Sequence, residues 1–151
     1  MRKGIILRFL FLAAVMAFIY IQSSYPDTVS SARSAPIAEY FSRFMGVSIE
    51  TSTFIVRKSA HFLEYCLLGA SAFSVISVFF PAKSLFGYLF AGFLSWTGGT
   101  LYAVTDEIHQ RFVSGRSGEL RDVAIDAAGV FVGILIFMLI DLMVRYFGEK
   151  N

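Results

Sequence analysis

The chain has 151 residues, of which 56% are hydrophobic and 16% charged, with a net charge of +2. A water-soluble domain of this length carries about one quarter charged residues, so the composition points to a polytopic membrane protein and the length to a single bundle. So small a positive balance argues against nucleic acid as a partner, and the lone cysteine, Cys66, can close no intramolecular disulfide.

The first apolar stretch covers residues 5–21 and follows Arg2 and Lys3. It has the outline of a secretory leader. However, "FIYIQSS" offers no small-x-small cleavage site and further spans follow, so an uncleaved helix is the better reading. Arg8 within it is expected to snorkel to the interface. The next thirty residues begin polar and serine-rich. Ser34 and Pro36 then make a helix start, and Ile37, Phe41, Phe44 and Met45 recur at helical spacing. That pattern suggests a short amphipathic helix at the membrane interface, with a partly ordered loop as the alternative.

Apolar stretches at 54–80, 85–105 and 123–147 complete four expected transmembrane helices, each long enough to cross. A tight turn at "FFPAKSLFG", with Pro81 as the breaker, joins the second and third. The expected fold is all-α: one domain over residues 1–151, with four spans in a bundle. Asp141 is spaced to pair with Arg145 one turn on, and Cys66, Trp96 and the phenylalanines read as packing and lipid-facing groups.

Alternating helices bring the start of the second span, the end of the third and the start of the fourth to one side of the membrane. Lys58, His61, Glu64, Asp106, Glu107, His109, Gln110, Arg116, Asp122 and Asp126 all fall there. Lys58, His61 and Tyr65 share a helix face; Tyr102, Asp106 and Gln110 share another. Asp122, Asp126, Gly129 and Gly133 form a third stripe, whose G-x-x-x-G permits close helix approach. An unpaired charge at bilayer depth costs roughly 2.5–3.5 kcal/mol, so Asp126 needs a partner, with Lys58, His61 and Arg116 as candidates. Lysines and arginines flank both faces almost equally. Arg2 and Lys3 at the first helix place the termini in the cytoplasm and the polar cluster outside.

The blocks "RKSAHFLEYCLLG", "YAVTDEIHQRFVSGR" and "RDVAIDAAGVFVG" resemble the three signatures of the VanZ-like family of small bacterial membrane proteins. The match runs through Lys58, His61, Glu64 and Tyr65. It continues through Asp106, Glu107, Gln110, Phe112 and Arg116, then Asp122, Asp126 and Gly129. The "QSS" closing the first span is similar too. The resemblance implies a multi-pass protein of the bacterial plasma membrane. The family is named for a protein linked to low-level resistance to the glycopeptide teicoplanin; the resemblance supplies no established reaction.

Four roles suit the cluster. As a binding site, Lys58, Arg116 and His61 would hold an anionic lipid headgroup or a lipid-linked wall precursor, with Tyr65, Gln110, Asp122 and Asp126 in the same pocket and Tyr102 and Phe112 beside the acyl chains. As a hydrolase or transferase on a lipid phosphate or acyl group, His61 would be the general acid or base, oriented by Glu64 or Asp106, with Glu107 as an alternative base. No serine or cysteine stands out as a nucleophile. As a metal site, His61, Glu64 and Asp106 would offer zinc its ligands, but Lys58 opposes a cation there, and no cofactor is the preferred expectation. The fourth role is a purely structural charge network fixing helix register.

Overall fold

The computed structural model describes residues 2–80 and 84–148, and among them only helices and connecting turns occur. The helices are α1 (Arg2–Ser23), α2 (Asp27–Met45), α3 (Ile49–Ile76), α4 (Leu85–Gln110) and α5 (Leu120–Gly148). The expected breaker Pro81 and its neighbours 82 and 83 lie outside the described residues.

Three of the helices, α1, α3 and α5, are long and apolar enough to cross a membrane. Helix α4 has 26 residues, ample length, but its glycines, serine, threonines and tyrosines dilute its hydropathy. Polarity is distributed as in a lipid-facing bundle. Phe9, Leu10, Phe93, Leu139 and Leu142 point outward, while Ser71, Ser74 and Ser95 are buried. The buried serines each donate to a carbonyl of their own helix, which satisfies them without water.

Helix α3 is the hub: it packs on α1, α2, α4 and α5, most extensively on α5. Small residues make that seam close. A Cβ on Gly133 would overlap the Cys66 carbonyl, and one on Gly129 would lie 2.6 Å from the Phe62 carbonyl oxygen. The G-x-x-x-G expectation therefore holds, with van der Waals contact between backbones as the attraction. Beneath the polar end, Tyr65, Leu68, Phe73, Val130 and Ile134 form the core, joined by Val15 and Ile19 of α1. Helix α4 runs antiparallel to α5 along its length. Tyr88 donates to Asp141 at one end (2.9 Å), and Trp96 Nε1 donates to the Ala127 carbonyl further along (3.1 Å). Asp141 also pairs with Arg145, as its spacing predicts.

Two local expectations need correction. Helix α2 begins at Asp27, not near Ser34, and carries Pro36 inside it; with 19 residues it is not short. Proline in a helix interior forfeits one backbone bond, but the start is fixed from elsewhere. The Asp27 N–H donates to the Ser114 carbonyl (3.1 Å), and its carboxylate bonds Arg57 (2.6 Å). Asp27 also sits in the first turn, where a negative charge suits the helix dipole. Arg8, in turn, does not simply snorkel. Its guanidinium donates to the Ser74 carbonyl (2.5 Å), in the last turn of α3 where carbonyls lack helical partners.

Candidate functional site

The termination points of the helices build the polar end. Helix α4 continues to Gln110, so Asp106, Glu107 and Gln110 stand on a helix beyond its apolar part, and all three are buried. Helix α5 opens at Leu120, which makes Asp122 and Asp126 successive positions on one face. Helix α3 starts at Ile49, capped by the Ser48 hydroxyl, and brings Arg57, Lys58 and His61 to the same level. The connection from α4 to α5 folds back over them with Gly115 at φ 77°, a left-handed conformation glycine adopts without cost.

These elements enclose a cavity of about 190 Å³. Arg57, Lys58, Arg116 and Arg121 contribute cations to its lining. Asp27, Glu107, Glu119, Asp122 and Asp126 contribute carboxylates, and His61, Gln110, Phe54, Ile125, Gly115 and Ser117 complete the wall. Three cations are already paired: Arg57 with Asp27, Arg121 with Glu119, and Lys58 with Asp122. Lys58 was a candidate partner for Asp126; its ion pair is instead with Asp122, one turn earlier on the same stripe.

Arg116 is different. Its Nε donates to the Tyr25 carbonyl (3.0 Å), Nη1 to Gln110 Oε1 (3.1 Å) and Nη2 to the Gln22 carbonyl (3.3 Å). Among the described residues no carboxylate reaches it within ion-pair distance. Burial, and then the nearby Arg57 guanidinium, pushes its pKa below the usual arginine value. Among the described residues of the cavity, Arg116 is thus the cation whose charge is met by uncharged oxygens.

Asp126 is the converse. It is only 2% exposed, lines the cavity and makes no hydrogen bond or ion pair among the described residues. Glu107, beyond the apolar part of α4, accepts the Glu119 N–H (2.9 Å) at the entrance to α5. Burial raises the pKa of its carboxyl above the usual carboxylate range, against the lowering effect of that bond.

Behind the cavity lies a second polar layer. Asp106 Oδ2 accepts from Ser23 of α1 (2.8 Å) and from Gln110 (3.0 Å), which links the first helix to the site. Asp106 Oδ1, Glu64 Oε2 and the Tyr65 hydroxyl are buried without partners. Tyr65 stands about 10 Å along the helix from Lys58, since seven residues at 1.5 Å each separate them. It lies in the core beside Tyr102, not in the cavity wall. Phe112 is exposed, and Tyr102 donates to the Met16 carbonyl (2.7 Å). His61 lines the cavity but is hydrogen-bonded to neither Glu64 nor Asp106, the two groups expected to orient it. His109, at the same end, turns to α1, where it stacks on Tyr20 (4.6 Å) and meets the Ser24 hydroxyl (3.1 Å). Among the described residues no group of three or more His, Cys, Asp or Glu side chains is arranged to hold a metal ion.

Residues 8–141 match the family described as VanZ/LLP1. The chain belongs to the VanZ/LLP1 family. No curated protein and no solved structure matches it. The VanZ/LLP1 match over residues 8–141 reaches into all five helices and includes every residue named at the polar end. Several members of that end were not singled out from the sequence. Asp27, Gln22, Ser23, Tyr25, Glu119 and Arg121 all hold or line it. The "QSS" that closes the first span signalled Gln22 and Ser23; the others had no local signal.

Proposed function

We propose that this VanZ/LLP1 protein crosses the bacterial plasma membrane four times and, through a cavity open to the outer face, recognises the anionic group of an envelope lipid or lipid-linked wall precursor. In this reading it alters susceptibility to glycopeptide or lipoglycopeptide antibiotics by holding such a lipid. The observation that carries the proposal is Arg116: a half-buried guanidinium beside a cavity, bonded to neutral oxygens alone. A planar, permanently charged fork of donors suits a phosphate oxygen better than it suits three uncharged acceptors. Contacts of α4 with α5 from Tyr88 to Trp96 support the fourth span. The basic pair Arg2 and Lys3 supports cytoplasmic termini.

The cavity volume, about 190 Å³, is below the roughly 300–1,000 Å³ of typical small-molecule sites. It accommodates a headgroup while the acyl chains stay in the bilayer. The test compares lipids co-purifying with wild type and Arg116→Gln at matched levels, together with teicoplanin susceptibility of the expressing cells. Wild type retains a phosphate-bearing lipid and shifts susceptibility; the variant loses both. Equal lipid retention and equal susceptibility in the two would sink the proposal.

A second reading, hydrolysis or transfer on the same lipid, rests on His61 in the cavity wall. Lipid profiling of cells with wild type and with a folded His61→Gln variant separates the two. A substrate that accumulates only in the variant assigns catalysis. Identical profiles with lipid bound to both proteins assign binding.

A further inference from the structure

The cavity's pairing leaves a remainder of both signs. Lys58 is neutralised by Asp122, so the cation left to a ligand is Arg116. On the opposite sign stands Asp126. It is 98% withdrawn from solvent, as its 2% exposure states, and it has no hydrogen-bond or ion-pair partner among the described residues. Its position in the cavity wall directs it at whatever the cavity holds. A carboxyl group withdrawn from bulk solvent, with no protein donor and open only to the cavity, is left for the cavity's contents to satisfy. Glu107, in the same wall, has a backbone N–H as its partner and, among the described residues, no cation within ion-pair distance. A ligand that is only anionic would satisfy Arg116 and bring no donor to Asp126. A ligand that is only cationic would do the reverse.

We propose that the ligand is zwitterionic: a lipid headgroup in which a primary ammonium stands a short spacer away from a phosphate, with the phosphate at Arg116 and the ammonium on Asp126. The inference rests on the lipid-binding reading above and names its ligand class. A primary ammonium brings three N–H donors to a carboxylate that has none. A trimethylated ammonium brings no donor and more bulk, and the cavity is small. The site therefore separates three common headgroups by chemistry alone. Phosphoethanolamine meets both charges, phosphoglycerol lacks the cation, and phosphocholine lacks the donors.

Native mass spectrometry of the purified full-length protein tests this, with an equimolar mixture of phosphatidylethanolamine, phosphatidylglycerol and phosphatidylcholine carrying the same acyl chains. Wild type retains phosphatidylethanolamine over each of the others by about tenfold, the worth of one charge-assisted contact. In Asp126→Asn the advantage over phosphatidylglycerol disappears. In Arg116→Gln all three phospholipids are lost. Should Asp126→Asn fail to fold, the wild-type ranking decides alone. Equal retention of the three lipids, a preference for phosphatidylglycerol, or an ethanolamine preference unchanged in Asp126→Asn overturns the inference. Phosphatidylglycerol retained without phosphatidylethanolamine leaves the broader lipid-binding reading standing; retention of no lipid removes both. Competition with water-soluble glycerophosphoethanolamine then identifies the source. Displacement shows that the free headgroup suffices, and its failure ties recognition to the membrane-embedded lipid; the zwitterion requirement holds in either case.

Discussion

Removing the Lys58 ammonium leaves Asp122 with two partnerless carboxylate oxygens, since its Oδ1 already lacks one. Breaking a fully buried pair costs about 3–5 kcal/mol, and this pair, partly exposed on both sides, falls nearer 2 kcal/mol, approximately. Lys58→Met is therefore expected to lower the unfolding temperature in detergent. Adding Asp122→Asn recovers part of the loss, whereas adding Asp126→Asn recovers less. Equal recovery by the two would show that the pairing is misassigned. Ser23→Ala strips Asp106 of one of its two donors and is expected to cost about 1–2 kcal/mol, read in the same assay. At this scale the sequence was informative about residue type and weak on partners. Asp122 and Asp126 lie four apart on one stripe, so periodicity gave both the same claim on Lys58. The choice depends on the axial register of α5 against α3, which no local pattern encodes. Arg57 and Asp27 pair across 30 positions with no periodic relation between them.

That register is set by elements, and glycine sets it. Gly133 rides on the Cys66 carbonyl and Gly129 on Phe62. Gly133→Ala forces α3 and α5 apart, with an expected loss of about 1–3 kcal/mol, as overpacking usually costs. Gly98→Ala is the matched control. A Cβ there meets nothing within 4 Å, and the helix gains up to about 1 kcal/mol in propensity. A drop in unfolding temperature for Gly133→Ala and none for Gly98→Ala is the expected pair of results. The three polar stripes and the glycine pair were legible because helical spacing makes them so. The extent of α2 was not. Pro36 reads locally as a helix start, while the real start is held by Ser114 and Arg57 from distant parts of the chain. The ends of α4 and α5 also exceed their apolar stretches, because polar residues that find tertiary partners continue a helix as well as apolar ones do.

For the molecule as a whole, polarity runs inside out along the bundle and gathers at one end. The proposed orientation puts that end outside the cell. A lone cysteine at Ser117, in a Cys66→Ala background, is expected to react with a membrane-impermeant maleimide on intact cells, since Ser117 lines the cavity. Labelling only after permeabilisation would reverse the topology. The family and the all-helical character were legible from composition and the three blocks together. The count of spans rests on α4, whose apolar content is diluted by the small and polar residues that let it pack against its neighbours. Helix α3 touches all four other helices, and this has a consequence for biosynthesis. The chain emerges from the ribosome with the basic head of α3 long before Asp122, and the face of α3 that carries Cys66 waits for Gly133. Until α5 is inserted, the nascent protein holds an unpaired ammonium and an uncovered helix face in the translocation machinery. The last helix therefore closes the structure, and a chain halted before residue 120 should be recognised as unfinished by membrane proteases.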